Sequence, residues 1–147
     1  MRSPVLRRGE AEKGGGAMAG PEAFNAGIAH QIGRYADAVR IPAGMDQVVV
    51  SGTPGLGPDG SLAGDITGQA TQAWQNVAAI LAKSGASLHD IVAIRQWLTS
   101  ADHIGGYVAV RAGFIQHQAA SMLAVIPALV WPGFLVEIEV TAAVPAR

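Results

Sequence analysis

Between Phe134 and Ala143 two carboxylates, Glu137 and Glu139, stand two positions apart in a run of β-branched residues. In an extended chain Leu135, Glu137, Glu139 and Thr141 share one face, and Val136, Ile138 and Val140 share the other. Two residues of strand rise set the carboxylates roughly 6.5 Å apart, where like charges repel unless the face is wet or holds something that wants them. Two readings follow: a half-solvated antiparallel strand, or a cleft wall with one glutamate as its working group. Other chemistry is sparse. With no cysteine there is no thiol nucleophile, thiolate metal site or disulfide. Four scattered histidines suggest no metal site, and His117, in a linker, reads as solvated. Arg95 beside Trp97 is either a stacked cation at a site or an ordinary surface or interface pair. Gly55, Gly57 and Gly60 spell a G-x-G-x-x-G, but a dinucleotide loop needs its last glycine to open a helix, and Pro58 to Gly60 is a turn.

The elements that must position these groups follow from periodicity. Phe24 to Tyr35 is irregular, Ala36 to Ile41 a short strand, and Gln47 to Ser51 a second strand, apolar on both faces as deep in a sheet. Pro42 and Gly44 between them suggest a hairpin. Asp65 caps a helix whose stripe of Ile66, Ala70, Ala73, Trp74, Val77, Ile80 and Leu81 runs to Gly85, with Trp74 in the core. Ile91 to Thr99 is a strand with Val92, Ile94 and Leu98 on one face and Ala93, Arg95 and Trp97 on the other. Asp102 caps a second helix from about Ile104 to Gln116, turning Tyr107, Val108, Phe114 and Ile115 inward, with Arg111 near that stripe or reaching out along it. Ser121 to Ile126 reads as a buried strand, and Pro127, Pro132 and Gly133 turn it toward the last one. The order strand, strand, helix, strand, helix, strand, strand predicts a two-layer α+β fold with helices on one face of a mixed sheet.

Composition bounds the function. The chain has 147 residues, enough for one domain with a real core, expected over 21–147. Residues 1–20 lack the apolar stretch of a secretory signal and read as a flexible leader, with Met18 as a candidate start. Only 14% of the residues are charged and 50% are hydrophobic, so a monomer would show too much apolar surface, which predicts a homo-oligomer. A net charge of -1 without a basic stripe argues against a nucleic-acid partner. The longest apolar runs are too short to span a membrane, and a cysteine-free chain is compatible with the expected cytoplasmic location.

Six pieces in order resemble the RidA (YjgF) family: Ile32 to Tyr35, Val50 to Gly52, Pro58 to Gly60, Gln69 with Asn76 and Val77, Gly85 to Ser87 with Asp90 to Val92, and Val136 to Glu139. They cover about residues 28 to 143. The resemblance implies a chorismate-mutase-like fold in a homotrimer whose sheets pack inside a barrel, with three ligand clefts between subunits. It implies hydrolysis of reactive 2-enamino or 2-imino acids to 2-keto acids and ammonia, without cofactor or metal. By matching position, Tyr35 borders the cleft, as hydrogen-bond donor or as packed interface aromatic. Ser51 and Gly52 offer polar contacts, and Glu137 holds the attacking water.

The departures bear on substrate. Where deaminating members carry an arginine that grips the substrate carboxylate, this chain has Ser121. The family asparagine of the second helix is Tyr107, and the small or thiol residue two after the arginine is Leu123. The expected cleft is bulkier and more apolar, and its substrate is less acidic than an imino acid or is anchored by Arg95 or Arg111. The alternative is a non-catalytic trimer that binds a small metabolite. Ribonuclease activity, ascribed to some relatives, is disfavoured by the charge.

Overall fold

In the computed structural model, residues 19–147 are described, so the expected leader lies, but for Ala19 and Gly20, outside the described residues. Two short strands, β1 (Glu22–Phe24) and β2 (Ala38–Arg40), make a small antiparallel sheet. The main sheet contains β3 (Met45–Pro54), β4 (Ile91–Leu98), β5 (Ala120–Val125) and β6 (Val136–Pro145) in the order β3-β6-β4-β5. Only β4 and β5 run parallel. Helices α1 (Ile66–Lys83) and α2 (Ile104–Phe114) lie on one face, giving the two-layer mixed α+β fold.

The apolar face of β6 is buried as its alternation requires: Val136, Ile138, Val140 and Ala142 meet Trp74, Val77 and Leu81 of α1. Trp74 is fully buried and stacks on Phe114 at 6.2 Å, joining the two helices. Asp65 caps α1, its carboxylate accepting from the Gly68 N–H at 3.0 Å. Gly85, at φ 80°, ends it in the left-handed turn that glycine favours. Asp65→Ala is expected to cost about 1 kcal/mol, read as a lower midpoint in a urea melt at unchanged slope. The glycine-rich loop is a turn, as expected, with the Gly60 N–H donating to Gly57 O at 2.9 Å. Gly55 is needed for packing, since a Cβ there would run into the Gln69 backbone.

Four expectations are corrected. The hairpin of the first two strands does not form: β2 pairs with β1, and β3 crosses to β6 over a register from Met45↔Pro145 to Pro54↔Glu137. A local turn signal is outweighed by the longer match between β3 valines and the apolar face of β6. Second, β3 and β5 are the edges of this sheet rather than its interior, and Val49 is 76% exposed. Being apolar on both faces marks a strand that wants cover, and the described residues do not supply it. Third, Asp102 does not cap α2. It lies in a 3-10 turn (Ala101–His103) in which its own N–H donates to Ser100 Oγ at 3.2 Å. Fourth, α2 ends at Phe114, and Val108 faces outward.

Candidate functional site

The alternation of β6 splits its glutamates from the core, and its neighbours then split them from each other. Opposite Glu139 on β4 stands Arg95, and their side chains form an ion pair at 3.1 Å, with 59% and 33% of the two side chains exposed. Arg95 is thereby tied to a carboxylate on the open face of the sheet. Glu137 has no such partner among the described residues; opposite it stands half-buried Trp97.

On the other side β3 carries a bulge. Val50 pairs with Val140 and Thr53 with Ile138, so Ser51 and Gly52 together oppose Glu139 alone. The bulge sets Gly52 against the Glu137 carboxyl, where a Cβ would stand 3.1 Å from Oε2. Burial raises the Glu137 carboxyl above its ordinary pKa of 4.5. A half-buried carboxylate without a cation to hold it suits proton transfer better than structure. Ser51, in the same bulge, is exposed.

The other predicted residues gather elsewhere. Odd-numbered β5 positions face the helices, because Ser121 pairs with Ile94 and Leu123 with Gln96. An open cavity of about 910 Å³ lies between α2, edge strand β5 and the segment 30–35, and Tyr35, Ser121, Leu123 and Arg111 line it. The segment bearing Tyr35 is held by Asp37, whose carboxylate accepts from the N–H groups of Ala26 at 2.6 Å and Ala29 at 2.8 Å. Those bonds, with Ala26 foremost, lower the pKa of Asp37.

Tyr107 is buried beneath this cavity rather than lining it. Burial raises its phenol well above the usual range, outweighing the opposing pull of the Arg111 charge, so it stays a donor. It donates to Gln96 Oε1 at 2.5 Å, and Arg111 Nη1 donates to the same oxygen at 2.8 Å. Gln96 Nε2 in turn donates to Ser121 Oγ at 3.0 Å and Met122 O at 2.7 Å. This fully bonded amide organises the cavity floor, and no motif in the sequence points to it. Periodicity does: Gln96 falls on the buried phase of β4, between Ile94 and Leu98, where a polar residue must find partners. His117, expected in solvent, lines the cavity half-buried, its Nε2 2.7 Å from Ile91 O.

One chain therefore brings Glu137 and Gly52 together on the open face, and Tyr35, Ser121, Leu123 and Arg111 together on the helix side. It does not bring the two groups to one another. Among the described residues no cluster of three or more His, Asp or Glu is placed to hold a metal ion, and no helix is long and apolar enough to cross a membrane.

Comparison with known proteins places this geometry. The fold resembles that of YyfB, a Rid-family protein of Yersinia pestis, at 23% identity over 86% of this chain and 100% of that one, with a TM-score of 0.76. RidA of the Antarctic bacterium Psychrobacter sp. PAMC 21119 is 27% identical over 83% of this chain and 94% of its own, with a TM-score of 0.64. Yeast Mmf1 is 28% identical over 85% and 93%, with the same TM-score of 0.64. None of the curated proteins compared with the chain matches it. The family model described as Endoribonuclease L-PSP matches residues 28–144, and the chain belongs to that family, which is the RidA (YjgF) family.

Proposed function

We propose that the protein is a hydrolase of small imines or enamines, working at clefts between copies of the chain in a cytoplasmic homotrimer. The observation that carries this is Glu137: without a charged partner among the described residues, half-buried, raised in pKa by burial, and pressed against a bulge that leaves no side chain at Gly52. A protonated imine carbon is already electrophilic, so the protein need only hold it and aim a water. Glu137 takes a proton from that water as its oxygen bonds to the carbon. Glu137 returns that proton to the carbinolamine nitrogen, the C–N bond breaks with its electron pair going to nitrogen so that ammonia leaves, and the hydroxyl gives up its own proton to water as it becomes the carbonyl.

The open sheet face supports assembly. Val49 and Met122 stand exposed on the side that carries Glu137, since Val49 pairs with Thr141 and Met122 with Arg95. Burying such a face against other copies would bring a neighbour's edge strand toward Glu137 and shield it further from water. Sedimentation equilibrium is expected to give the mass of three chains. Wild-type protein is expected to speed ammonia release from imines generated in situ. No acceleration with any imine would leave a binding trimer as the reading.

Space at Gly52 is part of the device. Gly52→Val is expected to displace the Glu137 carboxyl and lower the hydrolysis rate about tenfold to a hundredfold, with a melting temperature close to wild type. A full rate in that variant would place the working carboxylate elsewhere.

A further inference from the structure

The cavity beside α2 holds charge that the hydrolase reading does not use. Arg111 is half-buried, stacks over the Tyr107 ring at 5.8 Å, and among the described residues has no carboxylate partner. Among the described residues one of its donors is engaged, by Gln96 Oε1 at 2.8 Å. That bond and the stacking fix the guanidinium plane and leave the rest of its fork unpaired. Ser121 Oγ accepts from Gln96 Nε2, so its own hydrogen is available to the cavity. His30, Arg34 and His117 also line the cavity, and among the described residues no acidic one does. Gln116 and Gln118 add polar edges, and Ile104, Val108, Ile115 and Leu123 make an apolar stretch of wall.

We propose that Arg111 and Ser121, oriented by Gln96, grip the carboxylate of an organic acid whose bulky apolar body lies along α2 and Leu123. A planar fork matches a carboxylate, and a ligand anion would supply the counter-charge that the described residues do not. An apolar wall of this size favours an aromatic or branched body over a bare small acid. That this acid is also the substrate rests on the hydrolase reading; that it binds here does not. The residue matched to the family's carboxylate-gripping position is then reached by a cation from another element. The substrate class becomes bulky, apolar acids.

Calorimetric titration of the full chain tests this with stable probes: 3-phenylpropanoate, its neutral amide, acetate and inorganic phosphate. The acid is expected to bind at least about tenfold more tightly than the amide, since a charge-assisted pair is lost in the latter. It is also expected to bind at least about tenfold more tightly than acetate or phosphate, which lack the apolar body. Arg111→Met is expected to abolish the preference for acid over amide, and Ser121→Ala to reduce it a few-fold. The acid and amide binding alike to wild type, phosphate binding as tightly as the acid, no binding of the acid, or a preference kept in Arg111→Met would each overturn the inference. The wild-type comparison needs no variant to fold. Acid preference without ammonia release from any imine would sink the hydrolase reading alone, and ammonia release without acid preference would sink this inference alone.

Discussion

Glu137→Gln is expected to lower the rate of imine hydrolysis by about a hundredfold to ten-thousandfold, the range lost when a positioned proton acceptor is removed. Glutamine fills the same volume, and the carboxylate it replaces makes no hydrogen bond or ion pair among the described residues. The folded state should therefore lose nothing. It should gain slightly near neutral pH: a carboxyl whose pKa is raised by burial opposes folding while ionised, and that opposition fades only as pH falls through the raised value. The same shift fixes the acid limb of the wild-type rate. If Glu137 accepts the proton, activity falls on acidification with a midpoint above 4.5, and Glu137→Gln erases that limb. Steady-state rates across pH, with thermal melts of both proteins, check all three outcomes. A variant that keeps the wild-type rate would remove Glu137 from the chemistry. By contrast Glu139→Gln, which breaks only a partly exposed ion pair with Arg95, should change the rate little.

That contrast between neighbouring glutamates was only half legible in the sequence. Period-two alternation placed both on the face opposite Val136, Ile138 and Val140, as found. What separates them is non-local: Arg95 and Trp97 lie more than thirty residues away, and the bulge at Ser51 and Gly52 exists only once β3 has chosen β6 as its partner. The same non-local choice undid the expected hairpin. Helix α1 was legible because a cap, an apolar stripe and a terminating glycine all lie within one stretch of chain. The division of the candidate site between two faces was not. It depends on β5 running parallel to β4 at the far edge, which turns Ser121 and Leu123 toward the helices while Glu137 points away. The family resemblance assigns Ser121 and Glu137 to one cleft, yet a single chain holds them on opposite sides of its sheet. A second copy is then a requirement of the proposed chemistry, beyond what cover for an apolar face would ask.

Gln69→Leu is expected to cost about 2–4 kcal/mol, because it strands three backbone groups from two segments at once. The side chain is buried on α1. Its Nε2 donates to Ala63 O at 2.8 Å and Gly133 O at 2.9 Å, while its Oε1 accepts from the Leu135 N–H at 2.8 Å. One amide thus ties the loop before α1 and the entry to β6 to the helix, and β6 carries Glu137 two residues further on. Leucine matches the volume but offers neither donor nor acceptor, so the penalty is that of unpaired polar groups, partly relieved where Ala63 and Gly133 reach water. For a chain of this size the melting temperature should fall on the order of ten degrees. Gln69→Glu separates the contributions: it keeps an acceptor for the Leu135 N–H but sets carboxylate oxygens against two carbonyls, and should be no more stable than the leucine variant. Were Gln69→Leu to melt with the wild type, β6 would be held in place by strand pairing alone, and the position of Glu137 would owe nothing to the helix layer.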